Sequence, residues 1–121
     1  MSKILIIDDD PDIVKLLRFK LSQEGYKVIA AVDAYNGIQS ARREKPDLII
    51  LDIMLPAGGG YHTLKNIRLT PQGSQTPIVV LTGMQDEELR QKIEKEGVEA
   101  YLQKPCDYPV LSETVKKLLM T

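Results

Sequence analysis

The sequence has one cysteine and one histidine. A lone Cys106 excludes an internal disulfide and fits a reducing compartment. His62, the only imidazole, lies beyond a glycine-rich stretch and reads as a solvated helix residue, so a histidine- or thiolate-based metal centre has no ligands here. Neither sign of charge is in excess: 16 Lys and Arg stand against 17 Asp and Glu, interspersed, for a net charge of -1. That balance leaves no electrostatic footprint for direct binding to nucleic acid or to an anionic membrane. Long apolar runs are missing too. Lys3 leads into Ile4-Leu5-Ile6-Ile7 and then into Asp8-Asp9-Asp10, too short and too acidic for a signal peptide or a membrane span, so a cytoplasmic protein is expected. No repeat or polar linker divides the 121 residues, which suit one domain, 1–121, with a real core. Gly58-Gly59-Gly60 is followed by Tyr61-His62, so the lysine of a nucleotide-binding phosphate loop is absent and nucleotide or flavin binding is disfavoured.

What is present is a set of short apolar runs that end on polar residues. Leu48-Ile49-Ile50-Leu51 is apolar at every position, as in a strand buried on both faces of a parallel sheet, and it stops on Asp52. Ile4 to Ile7 repeats the pattern and stops on Asp8-Asp9, and Ile78 to Leu81 stops on Thr82-Gly83. Ala100 to Gln103 is a last short strand, followed by Lys104-Pro105. Lys27 to Ala31 is weaker and mixed, as expected of a sheet edge.

Helical patterns fill the intervals. Asp10 and Pro11 suit the start of a helix carrying Ile13, Val14, Leu17 and Leu21 up to a stop at Gly25. Asn36-Gly37 is expected to turn into a second helix that reaches about Glu44 before Pro46. Tyr61, Leu64 and Ile67 mark a third. Asp86 to Glu96 is a charged fourth with only Leu89 and Ile93 apolar, closed by Gly97. Asp107 is expected to cap a fifth carrying Leu111, Val115, Leu118 and Leu119.

Five strands alternating with five helices argue for a doubly wound α/β fold with a parallel sheet and right-handed crossovers. All strands then point one way, so Asp8, Asp9, Asp52, Thr82 and Lys104 gather at the carboxyl edge, where such sheets bind ligands. Carboxylates crowded there repel and call for a cation. Oxygen ligands alone select a hard ion, and Mg²⁺ suits the set. A carboxylate beside Mg²⁺, a hydroxyl and an ammonium is suited to phosphoryl transfer, with Gly83 leaving room for the incoming group.

The set Asp8-Asp9, Asp52 with Pro56 and Gly60, Thr82-Gly83 and Lys104-Pro105 resembles the receiver domain of two-component response regulators over essentially the whole chain. The resemblance implies the flavodoxin-like strand order 2-1-3-4-5, as in a chemotaxis member of that family. It implies that Asp52 is the phosphoacceptor, that Asp9 is the main side-chain ligand of Mg²⁺ with Asp8 in support, and that Met54 offers its backbone carbonyl. Thr82 and Tyr101 would be the switch residues, Lys104 the cationic partner of the phosphoryl group, and the Lys104-Pro105 bond cis. The implied partners are a sensor histidine kinase or phosphotransfer protein and a downstream effector or output domain, with a phosphorylation-linked dimer as a further assembly. The domain would be a signalling element rather than an enzyme, read on the face of the fourth helix, fifth strand and fifth helix.

Two positions depart from the family pattern. Gly59 stands where an aspartate is usual, so the turn before the third helix is expected to be loose. Cys106 stands where a larger apolar residue is common and reads as a small buried hydrophobe. Two rival functions remain open at this point. One is a receiver fold that no longer uses phosphate. The other is a haloacid-dehalogenase-like phosphatase with Asp8 as nucleophile and Asp10 as general acid, which leaves Asp52 idle and lacks a substrate-covering cap.

Overall fold

The computed structural model describes residues 1–56, 59–83, 85–105 and 107–120. The expectations for Gly58 and Cys106 therefore lie outside the described residues. Five strands, β1 (Lys3–Ile7), β2 (Lys27–Ala31), β3 (Leu48–Asp52), β4 (Ile78–Thr82) and β5 (Ala100–Gln103), alternate with five helices. These are α1 (Pro11–Gln23), α2 (Ala34–Glu44), α3 (Gly59–Arg68), α4 (Glu87–Glu96) and α5 (Tyr108–Leu119). The sheet is parallel throughout, in the order β2-β1-β3-β4-β5. No helix among the described residues is long and apolar enough to cross a membrane.

The continuous apolar runs are explained by cover on both sides. Ile4, Ile6, Leu48, Ile50, Val79 and Leu81 pack with Leu17 and Leu21 of α1 and with Leu111 and Val115 of α5. The alternate residues Leu5, Ile7, Ile49, Leu51, Ile78 and Val80 pack with Leu64 and Ile67 of α3 and Ile93 of α4. The period-two alternation of a strand thus divides each run between two cores. Burying one such side chain contributes about 1.5–3 kcal/mol, which makes β1, β3 and β4 the rigid base of the molecule.

Helix starts follow local chemistry. The Asp10 carboxylate accepts from the amides of Asp12 (2.9 Å) and Ile13 (3.4 Å), and Pro11 fills the first turn. Asp86 caps α4 through the Leu89 amide at 3.1 Å. Gly25 and Gly97 follow α1 and α4 with φ of 97° and 85°.

Two expectations need correction. Asn36-Gly37 is no turn, because Asp33 caps α2 by accepting from the Asn36 amide at 2.7 Å and both residues lie inside the helix. Gly37 is there for packing: a Cβ would stand 2.9 Å from Ile7 Cδ1. The glycine run is likewise not wholly a turn, since α3 already begins at Gly59. Gly60 lies so close to β3 that a Cβ would fall 2.2 Å from the Ile53 carbonyl oxygen. The Lys104-Pro105 bond is cis, as expected.

Candidate functional site

The strand ladders run on past the regular strands and fix the backbone of the site. The Asp8 amide donates to the Ala31 carbonyl (3.1 Å), the Ile53 amide to Leu81 (3.0 Å) and the Lys104 amide to Thr82 (2.7 Å). The ends of β1, β3, β4 and β5 are thereby held in one row. Asp8 and Asp52 are buried, whereas Asp9 faces solvent. One carboxylate oxygen from each of the three lies within 4.8 Å of the others.

Each buried carboxylate is oriented by a backbone amide two residues on. Asp8 Oδ1 accepts from the Asp10 amide and Asp52 Oδ1 from the Met54 amide, both at 2.9 Å. Their second oxygens face Lys104, whose ammonium is 2.9 Å from Asp8 Oδ2 and 3.3 Å from Asp52 Oδ2. Burial pushes the Asp8 carboxyl above its usual range, more than the Asp10 amide and the Lys104 hydrogen bond pull it down, and the Asp52 charge adds to the rise. For Lys104 burial opposes the charged form, but the hydrogen bond and charge of Asp8 and the charge of Asp52 outweigh it and hold the ammonium above its ordinary value. One cation thus serves two buried anions, and the exposed Asp9 carboxylate converges on them as a third. The site carries surplus negative charge.

That donor set fits a hard divalent cation: the three side chains offer only oxygen, they already converge, and Lys104 alone does not balance them. Thr82 is fully buried at the end of β4, and Gly83 beside it has open space where a Cβ would stand. Tyr101, half-buried on β5, packs against the core that contains Ile93, and the Arg90 guanidinium lies 4.8 Å from its ring centroid. Burial raises the Tyr101 phenol, against the lowering effects of Arg90 and of a hydrogen bond with the Thr82 side chain. A cavity of about 440 Å³ opens to this side of the cleft, lined by Gln85, Asp86, Glu87, Arg90, Tyr101 and Gln103. Met54 exposes its side chain, and His62 is exposed on α3 near Asn66.

The model of the response regulator receiver domain matches residues 4–116. The chain belongs to the response regulator receiver family. It is 40% identical over 118 residues to the alkaline phosphatase synthesis transcriptional regulatory protein PhoP of Bacillus subtilis, covering 97% of this chain and 48% of that protein. The chain therefore spans about half the length of that relative. Among solved structures, the chemotaxis protein CheY4 of Vibrio cholerae superposes with a TM-score of 0.91 at 30% identity, covering 98% of this receiver and 99% of that chain. The receiver domain of the sensor histidine kinase PA1611 from Pseudomonas aeruginosa, solved with a magnesium ion coordinated in its active-site cleft, gives 0.89 at 28% identity, covering 99% and 98%.

The receiver fold brings together Asp8, Asp9, Asp52 and Lys104, with Thr82 and Tyr101 along one flank. Two features of this receiver escaped the sequence reading. Glu24, after α1, accepts from the Tyr108 hydroxyl and, at 2.8 Å, from the Ser112 hydroxyl of α5, and it lies 3.5 Å from Lys116. Arg68 gathers several carbonyls at the far edge of the sheet. No periodicity or motif announces either contact.

Proposed function

We propose that residues 1–121 form one receiver domain that takes a phosphoryl group on Asp52 from a phosphohistidine. The donor is a sensor histidine kinase or a phosphotransfer protein. The observation that carries this reading is the single ammonium of Lys104 reaching both Asp8 and Asp52 in a cleft where Asp9 also converges. Asp9, Asp52 and Asp8 would hold Mg²⁺, with the Met54 backbone carbonyl as a further ligand; the PA1611 receiver carries a magnesium ion in the corresponding cleft. When bound, Mg²⁺ supplies positive charge that offsets the carboxylates and the phosphoryl oxygens.

The residues of the chain do the rest. The Met54 amide holds Asp52 Oδ1, which aims the carboxylate so that an oxygen can attack phosphorus. An O–P bond forms at Asp52 as the P–N bond to the donor imidazole breaks, and the imidazole leaves with its electron pair and takes up a proton. Lys104 stands where it can follow the added charge, and Thr82 can turn its hydroxyl toward a phosphoryl oxygen. Gly83 leaves the approach clear. Tyr101 and α4 then carry the change to the α4–β5–α5 face, for a partner protein, an output domain or a second copy of the chain to read. In this role the domain is a cytoplasmic signalling element rather than an enzyme acting on other substrates. Asp10 is committed as the cap of α1 through the amides of Asp12 and Ile13, which counts against its service as general acid to an Asp8 nucleophile.

Incubation with a small-molecule phosphodonor and Mg²⁺, followed by intact mass measurement, tests the reading. Wild type should gain one acid-labile phosphoryl group and Asp52→Asn none. Uptake that persists in Asp52→Asn, or that maps to Asp8, overturns it.

A further inference from the structure

Arg68, the last residue of α3, folds against the edge of the sheet opposite the aspartates. Its Nη1 donates to the carbonyls of Gly73 (2.7 Å) and Thr76 (2.6 Å). Nε (3.0 Å) and Nη2 (2.6 Å) both donate to the Gly97 carbonyl. Nη2 also meets Glu99 Oε1 at 3.0 Å, and that same oxygen accepts from the Ile78 amide at 2.7 Å. One planar fork therefore joins the end of α3, the α3–β4 loop, the first residue of β4 and the residue that closes α4. Only 10% of the Arg68 side chain is exposed, so its charge-assisted bonds to Gly73 and Thr76 are poorly replaced by water, while Gly97 and Glu99 meet the guanidinium at the surface and are held by its fork geometry.

The other end of α4 is built lightly. Asp86 makes the cap, Glu87 and Glu88 are exposed, and the apolar anchors of the helix are the half-buried Leu89 and the buried Ile93. That end lies next to Thr82 and Gly83 in the chain, with open space beside Gly83. Gly97, at φ 85°, supplies a joint with no side chain to resist rotation.

We propose that α4 is a lever, hinged at Gly97 and clasped there by Arg68. A displacement begun at Thr82 swings the Asp86 end and leaves the Glu96 end in place. At about 1.5 Å per residue α4 is roughly 15 Å long, so a tilt of about 15° carries its first turn some 4 Å while its last turn hardly moves. The surface offered for readout is then the half of the helix around Asp86 and Arg90 with Tyr101. Arg68 is a positioning residue in this scheme. The role of the lever in signalling rests on the reading of Asp52 as the phosphorylated residue.

Amide hydrogen exchange and amide shifts along α4 test it. An unclasped helix frays at both ends, and the C-terminal end usually has no advantage. Here, without any phosphoryl mimic, amides 95–97 should be at least about tenfold better protected than amides 90 and 91. With Mg²⁺ and beryllofluoride, shift changes should be large over 86–91 and vanish by 95–97. Arg68→Met, which loses the donors, should abolish the extra protection and spread the changes to 97. Arg68→Lys, which keeps the charge but not the fork, should behave like Arg68→Met. A flat or reversed protection profile in wild type overturns the lever whether or not a variant folds, as does an unchanged profile in folded Arg68→Met. Failure of Asp52 to take up phosphate, read by intact mass, strikes the functional reading instead, and the mimic-free profile still decides the lever.

Discussion

The Lys104 ammonium lies 2.9 Å from Oδ2 of Asp8, an ion pair between side chains 96 residues apart. β3 and β4 stand between their strands, so the contact closes a gap of about 14 Å at the sheet edge. Lys104→Met should therefore cost apo protein about 1–3 kcal/mol, because two buried carboxylates lose their shared cation. Urea unfolding measures the loss. In an Asp8→Asn background the loss should shrink, and equal losses in the two backgrounds would show that the pair is not coupled.

Asp9 contributes charge without being buried, so its removal should help the metal-free protein. Asp9→Asn is expected to raise the apo melting temperature by relieving repulsion from Asp8 and Asp52. Mg²⁺ should raise the melting temperature of wild type by mass action and that of Asp9→Asn much less. Equal shifts on Mg²⁺ addition would refute a cation site built on these side chains.

The two glycines beside the site should differ sharply. Gly60→Ala brings a Cβ to 2.2 Å from the Ile53 carbonyl oxygen, which only a backbone shift can relieve, and a loss of about 3 kcal/mol or more is expected. Gly37→Ala meets side-chain atoms of Ile7, Cδ1 and Cγ2 both at 2.9 Å, rather than backbone, and the gain in helix propensity of about 1 kcal/mol offsets part of the clash. Thermal unfolding of both variants should rank them in that order.

Much of this was legible because burial on both faces writes itself as an unbroken apolar run. Leu48 to Leu51 and Ile78 to Leu81 could be placed as central strands, and parallel topology then required Asp8, Asp52 and Lys104 to converge. Asn36-Gly37 misled because a turn signal also serves as a helix start when Asp33 stands before it, and because Gly37 answers to Ile7 across space. Arg68 and Glu24 left no trace. Their partners are backbone carbonyls and a distant helix, which no local pattern encodes. How Lys104 divides itself between Asp8 and Asp52 was equally invisible, since both lie at strand ends of the same kind.

The Glu24 latch between α1 and α5 should show in the acid limb of stability. The Tyr108 hydrogen bond holds the Glu24 carboxyl below its usual range, helped by Ser112 and Lys116. A carboxylate depressed in the folded state adds stability above its unfolded value, near 4.5, and loses it as pH falls through the folded value. Solvent screening keeps the contribution to about 1 kcal/mol at most. Glu24→Gln should thus be less stable than wild type at neutral pH, and the two should converge below the acid transition. A gap that is constant with pH would mean that Glu24 acts only by packing.

Arg90 and Glu87 should pull the Tyr101 phenol in opposite directions. Burial raises this phenol above its ordinary 10.0, the Arg90 guanidinium opposes the rise, and the charges of Asp86 and Glu87 add to it. Arg90→Met removes the opposing cation and should raise the phenol further, while Glu87→Gln should lower it. A phenol raised in the folded state favours folding up to its unfolded value, and the protein loses stability as pH climbs beyond it. The alkaline limb of unfolding should accordingly be steeper in Arg90→Met than in Glu87→Gln. Alkaline titration of phenolate absorbance, with Tyr101→Phe to identify the step, reads the shifts directly. The opposite signs separate electrostatics from loosened packing, because exposure of the ring would lower the phenol in both variants. A downward shift in Arg90→Met would mean that the guanidinium, 4.8 Å from the ring centroid, acts chiefly as the lid that keeps Tyr101 half-buried.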